Sequence, residues 1–156
     1  MSELIVFSFE NPTGAKELET ELVAAQDAQK IEVGDAAMVV RAADGRAALN
    51  HATKLVGRGS LGGIFWGFMF ALVFWGRWWG LSVGGALGDL GMDDDFVKEV
   101  GDSIGRGHSG LLVLVRDGMV DAVLDMAEEY QSKVSRTTFS EKDEALLKTI
   151  FLTSRE

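Results

Sequence analysis

Leu4, Ile5, Val6 and Phe7 stand together as an unbroken apolar run that ends shortly before Asn11-Pro12. A run of this length closed by a turn signal predicts a buried strand. Asn11 is a good helix N-cap, and Pro12 suits the first helical position, where a missing N–H is no loss. The helix expected here reaches about Ala25 and turns Ala15, Leu18 and Leu22 inward, at spacings of three and four. A second strand is expected over Ala36–Arg41, and Asp44-Gly45 is a two-residue hairpin signal returning the chain as a third strand over Arg46–Lys54.

Beyond residue 91 the soluble pattern resumes. Met92-Asp93-Asp94-Asp95 places carboxylates at the positive end of a helix, and Phe96, Val100 and Ile104 recur every four residues on one side of it. Gly105 to Gly110 should stop that helix. Leu111–Val115 reads as a continuous apolar strand, and Met119–Tyr130 as a helix with Val120, Val123, Leu124 and Ala127 inward. Lys133–Phe139 is a last strand, in which Val134 alternates with polar neighbours. Ser140 followed by Asp143 opens a C-terminal helix running to about Leu152.

With residues 57–91 set aside as an insertion, the order is βαββαβαβα within a single α+β domain spanning 1–156. Its first six elements follow the ferredoxin-like βαββαβ succession, a two-layer core with helices on one face of an antiparallel sheet. The remainder is then a C-terminal α-β-α extension. The chain also carries an internal echo: LIVF, helix, AAMVVR corresponds in order and length to LLVLV, helix, KVSRTTF.

The insertion is of a different character. Residues 59–88 read GSLGGIFWGFMFALVFWGRWWGLSVGGALG and hold one charge, Arg77. Gly59, Gly63, Gly67 and Ala71 are spaced by four, as are Gly76, Gly80, Gly84 and Gly88, with a slip of five between the sets. Each set lies on one face of a helix, and such stripes let two helices approach to backbone contact. Because a helical glycine costs about 1 kcal/mol against alanine, close packing has to compensate. The slip predicts a helical hairpin with its tip near Leu72–Trp75. Residues 59–76 would reach roughly 27 Å as a helix, near the ~30 Å hydrocarbon thickness. The return arm, 78–88, reaches only about 16 Å, which fits a re-entrant hairpin better than a full two-pass one.

Tryptophan favours the boundary between headgroups and acyl chains, and Trp66, Trp75, Trp78 and Trp79 all fall in this stretch. Arginine at a bilayer centre costs roughly 2.5–3.5 kcal/mol, so the cluster around Arg77 belongs at an interface or against a carboxylate of another subunit. Water does not accommodate a surface built from Trp66, Phe68, Phe70, Phe74, Trp75, Trp78 and Trp79. Lipid, a second copy of the chain, or the domain's own core must cover it. The last is disfavoured by the size of the insertion.

Charge sharpens this division. Of 156 residues, 15 are basic and 24 acidic, for a net charge of −9. Residues 1–56 contribute −4, residues 57–92 contribute +1 and residues 93–156 contribute −6. Two acidic segments thus flank a nearly neutral apolar one, and such a field disfavours nucleic acid as a partner. Cysteine is absent, which removes thiolate metal sites and cysteine nucleophiles. MSELIVFSFE has no positive n-region, so it is expected to be a strand and not a signal peptide, with the body of the chain in the cytoplasm.

The strand–hairpin–strand from Asp35, the glycine-phased aromatic stretch, and the following MDDDF (Met92–Phe96) and SGLLVLVRD (Ser109–Asp117) resemble the family catalogued as domain of unknown function 1269. Its members are labelled predicted membrane proteins, so the resemblance implies an α+β frame with membrane association. It implies no activity and no catalytic residues.

The motifs that suggest chemistry have simpler structural explanations. Gly57-Arg58-Gly59-Ser60-Leu61-Gly62 matches GxGxxG, but no acidic residue follows about 20 positions on for a ribose. Asp93, Asp94 and Asp95 diverge around a helix start and cap it. His51 and His108 have no ligand-like spacing, and with these two histidines a serine triad is possible only in a formal sense. Gly105–Gly110 reads as a tight helix-to-strand turn, with an anion-binding nest as the competing reading. Met119 and Met126 are expected in the core.

The sequence thus predicts a non-enzymatic protein with no cofactor, metal or catalytic residue. It is expected to associate with a membrane and with copies of itself through the hairpin. A soluble ring or filament, with hairpins packed between subunits and no lipid, is the alternative. No small-molecule ligand is indicated.

Overall fold

The computed structural model describes residues 2–52, 55 and 94–139. The chain is an α+β protein: β1 (Ser2–Phe9), α1 (Gly14–Asp27), β2 (Asp35–Arg41), β3 (Ala47–His51), α2 (Asp94–Ser103), β4 (Ser109–Arg116), α3 (Val120–Ala127) and β5 (Lys133–Phe139). A 3₁₀ turn, Asp117–Met119, leads into α3. The five strands form one sheet in the order β3-β2-β4-β1-β5, and every neighbouring pair is antiparallel. The expected helix over 140–152 and the whole insertion, 57–91, lie outside the described residues.

Two expectations change in this sheet. Among the described residues β3 pairs only with β2 and stands at the edge, and β5, expected in an extension, pairs with β1 along its length. Both β1 and β2 run antiparallel to β4, so they are parallel to each other and α1 carries the chain across between them. In the same way α3 carries it from β4 to β5, with β1 between. The echo seen in the sequence is therefore spatial: two βα-strand units interleave in one sheet.

The sheet is covered on both faces, so the molecule has three layers and not the two expected. Ile5, Phe7, Phe9, Leu111, Val113 and Val115 share one core with Leu18 and Leu22 of α1 and Val120 and Val123 of α3. Side chains alternate across a strand, so Leu4, Val6 and Leu112 point the other way, and they too are buried. α2 lies on that second face. A Cβ on Gly110 would collide with Ile104 Cδ1, and Ser135 of β5 donates to Glu99 at 3.1 Å. Phe96, Val100 and Ile104, the predicted inward stripe of α2, are all buried. Double coverage explains why Leu4 to Phe7 is a continuous apolar run with no exposed position.

Local chemistry sets the boundaries. Asn11 was expected as the N-cap, but that position is held by Thr13 and the helix begins at Gly14 and not at Pro12; Asn11 serves the helix start from two residues earlier, its Oδ1 accepting from the amides of Thr13 at 3.1 Å and Gly14 at 2.6 Å. The β2–β3 hairpin has three loop residues and not two. Ala42 N–H bonds to Arg46 O at 2.7 Å, Gly45 N–H bonds to Ala42 O at 2.9 Å, and Gly45 has φ +94. That is a turn followed by a left-handed residue, a position that suits glycine.

Strand direction determines where the insertion attaches. β3 runs toward the end where β1 begins, since Ala47 faces Arg41 and His51 faces Ala37. α2 starts at that same end, because Ile104 beyond its last turn lies over Gly110, level with Ser8 near the end of β1. Residues 56–93 thus connect two points at one end of the sheet.

Candidate functional site

The other end of the sheet holds a groove of about 850 Å³ where β1 finishes and β4 and β5 begin. Its floor is Ser8, Phe9 and Asn11. Glu17 of α1 together with Glu129 and Tyr130 after α3 form one bank, and Asp102 and Ser103 of α2 with His108 form the other. The two banks lie on opposite faces of the sheet.

A hydrogen-bond chain holds the α1 side. Ser109, fully buried, donates through Oγ to the carbonyl of Asn11 at 2.8 Å and accepts the Ala15 amide at 3.1 Å. With Asn11 Oδ1 on Thr13 and Gly14, three successive amides at the start of α1 are satisfied internally. They are not available to an anion. Gly14 carries no side chain because Phe9 occupies the space: a Cβ there would meet Phe9 Cβ at 2.7 Å and its Cγ at 2.5 Å.

Phe9 in turn meets Tyr130 edge to face, with centroids 6.5 Å apart and planes at 89°. Tyr130 donates its hydroxyl hydrogen to Glu21 of α1. That bond, then burial, then the charges of Glu21, Glu129 and Glu17, push the phenol up from 10.0 to about 12. The ring is thus fixed among carboxylates with its proton retained.

Opposite, the Gly105–Gly110 segment is a clamped turn, in agreement with the turn reading of the sequence. Gly107 N–H bonds to Arg41 O at 2.8 Å, His108 N–H to Gly105 O at 3.0 Å, and Arg41 N–H to His108 O at 2.9 Å. Arg41 Nη1 donates to Ile104 O at 3.1 Å. His108 Nδ1 lies 3.2 Å from both the Gly105 amide and the Ser103 carbonyl, accepting from the first in one tautomer and donating to the second in the other. With these amides engaged in the turn, an anion nest does not form.

Ser8 is the exception to this satisfaction. It is only 4% exposed, and its Oγ has no hydrogen-bond partner among the described residues. A buried hydroxyl without a partner costs about 1–3 kcal/mol.

The residues singled out in the sequence are elsewhere. Trp66, Phe68, Phe70, Phe74, Trp75, Arg77, Trp78 and Trp79 lie outside the described residues, as do Gly59, Gly63, Gly67, Ala71, Gly76, Gly80, Gly84 and Gly88 and the GxGxxG match. Asp94 is the first residue of α2, where capping places it. Among the described residues, no helix is long and apolar enough to cross a membrane, and no three acidic, histidine or cysteine side chains converge as metal ligands do. Ser8 and Tyr130 were not singled out by sequence as parts of a site, and Ser109 entered only as part of the Gly105–Gly110 turn. The only linear signal was a lone hydroxyl within LIVFSF.

These features define an α+β protein built on a five-strand antiparallel sheet with a polar groove at one end. The chain belongs to the family described as protein of unknown function DUF1269, whose model matches residues 60–152. The matched span begins after β3, and is narrower than the resemblance drawn from Asp35 onward. Neither the curated proteins nor the solved structures give a match.

Proposed function

We propose that this is a non-enzymatic, membrane-associated protein that self-assembles, using residues 59–88 for contact with lipid and with neighbouring subunits. The observation that carries this reading is the placement of the flanks. The chain leaves β3 and enters α2 at one end of the sheet, so a hairpin can extend from that end while the acidic body remains in the cytoplasm. Trp66, Phe68, Phe70, Phe74, Trp75, Trp78 and Trp79 are the contact side chains, with Arg77 at the interface. The glycine stripes then bring helices together.

The frame we infer is ferredoxin-like, assigned differently from the linear order. β1, α1, β2, β4, α3 and β5 supply the βαββαβ unit, in the sheet order β2-β4-β1-β5, with β3 added at the edge and the hairpin following it. The two βα-strand units of this frame are related about β1 and β4, the central pair.

Liposome flotation tests the function. The intact chain is expected to float with vesicles, and a chain with 59–88 replaced by a short linker is expected to stay behind as a soluble monomer. Arg77 within its aromatic cluster also favours pairing with a carboxylate of a second subunit. A large oligomer that fails to float with or without anionic lipid would reject membrane contact in favour of the soluble assembly.

A further inference from the structure

We propose that two copies of this chain pair through the groove end of the sheet, the β2–β3 hairpin of each seating in the groove of the other. β1 and β2 are parallel and finish at this end, level with each other, since Phe9 and Val40 both stand opposite Ser109 of β4. The groove lies on the β1–β5 side of β4, and the hairpin on the β2–β3 side. In the order β3-β2-β4-β1-β5, β4 is the central strand. A two-fold axis along the sheet normal at the start of β4 therefore sets β2 of one copy against β1 of the other, and β3 against β5. Such an isologous interface needs both halves of a complementary pair on one surface, and this end of the molecule has them.

In a chain of net charge −9 the hairpin is a basic exception. Arg46 is exposed, and exposed Arg106 lies over the turn, its Nε 3.3 Å from where a Cβ on Gly45 would stand. Arg41 donates to Gly45 O at 3.2 Å and to Ile104 O at 3.1 Å, which ties the hairpin to the end of α2. Asp44 is engaged by Arg46, side chain to side chain at 3.5 Å and through the Arg46 amide at 3.0 Å. The tip residues Ala42 and Ala43 are exposed and small, as a projection entering a groove must be. Across β4, exposed Glu10, Glu17 and Glu129 border the groove, and among the described residues Lys133 is the one lysine or arginine lining it. Complementary charge of this kind fixes partner and register more than it adds affinity. With −9 on each copy the pairing is weak, so it forms in concentrated protein and not in the dilute conditions of a flotation assay. The insertions of the two copies point away from each other, and the contact is separate from any made by residues 59–88.

The chain has no cysteine, so single introduced cysteines report the pairing directly. Concentrated full-length protein in detergent is treated with a short bismaleimide after mixing two differently tagged chains, one Ala43→Cys and the other Gln131→Cys, both at exposed positions. The 43–131 product is expected to exceed the 43–43 and 131–131 products by roughly five-fold or more, because the axis sets hairpin against groove and separates like from like. Arg46→Glu with Arg106→Glu in both chains should lower it roughly ten-fold, as should Glu17→Lys with Glu129→Lys in both. Mixing a chain of the first kind with a chain of the second should restore it, since each hairpin again meets a groove of opposite charge. Melting temperatures matching the parent show that the reversed chains are folded, and Arg106→Gln alone, a milder change, should give a smaller loss. Leucine at Gly63, Gly67, Gly80 and Gly84 should leave the product intact, which distinguishes this contact from helix packing in the insertion. Equal yields of the three products would overturn the proposal, and so would a mixture of reversed chains that cross-links no better than either alone.

Discussion

Gln29 ends α1 in the left-handed region, with φ 61, where its amide bonds to Gln26 O at 3.0 Å and the Lys30 amide reaches Ala25 O at 2.9 Å. This is the helix-stop geometry usually given to glycine, and an L side chain there costs about 1–2 kcal/mol. Gln29 is exposed, so Gln29→Gly loses little packing and adds only about 0.4–1 kcal/mol of unfolded-chain entropy. A net gain of roughly 0.5–1 kcal/mol in urea unfolding is expected. Tyr130 offers a second measurement because it is the chain's one tyrosine. Its folded-state phenol is raised from 10.0 to about 12, chiefly by its bond to Glu21. Below pH 10.0 the proton is held in both states and the stabilisation is whole; between 10.0 and about 12 the unfolded chain releases it first, so stability falls with rising pH. Tyrosinate absorbance should titrate late in the intact protein and normally in denaturant, and Glu21→Gln should bring the two curves together. The Tyr130–Glu21 contact was not readable in linear order, since the two residues are 109 positions apart.

At the scale of elements, α2 shows how pattern and placement separate. Its stripe of Phe96, Val100 and Ile104 identified the helix and its buried side, but not which face of the sheet it would cover. The information was present in part: the runs Leu4–Phe7 and Leu111–Val115 have no polar alternation, which requires cover on both faces. Gly110 completes the arrangement by leaving room for Ile104. Ile104→Ala should therefore open a void between α2 and the sheet and cost about 2–5 kcal/mol in chemical denaturation. Amide exchange should rise first in α2, which meets the sheet mainly at β1 and β5. The hairpin at Gly45 carries the same lesson on a smaller scale. Asp44-Gly45 announced a turn, while the count of loop residues followed from which backbone groups paired.

For the whole molecule, the proposed division is between an acidic body and an apolar projection at one end of its sheet. Self-assembly through the glycine stripes makes a direct prediction. Replacing Gly63, Gly67, Gly80 and Gly84 by leucine should hold helices apart and reduce the oligomer measured by light scattering, whereas an unchanged size would contradict close packing. The polar groove at the other end is a second, separable feature. It is composed of residues from β1, α1, α2 and the segments before β4 and β5, which no single stretch of sequence unites.

Among the described residues, hydrophobic spacing by itself marked the strands, the helices and their inward faces, because burial imposes a period on each element separately. Local chemistry likewise marked Asn11 as an acceptor for the start of α1 and the turn at Gly105–Gly110, where the determining contacts lie only a few residues apart. Strand order, the edge position of β3, the pairing of β5 with β1 and the second covered face were decided only in the tertiary structure. Those depend on contacts between residues far apart in the chain, such as Ser109 with Asn11 across 98 positions, and periodicity carries no record of which distant partner an apolar face will meet.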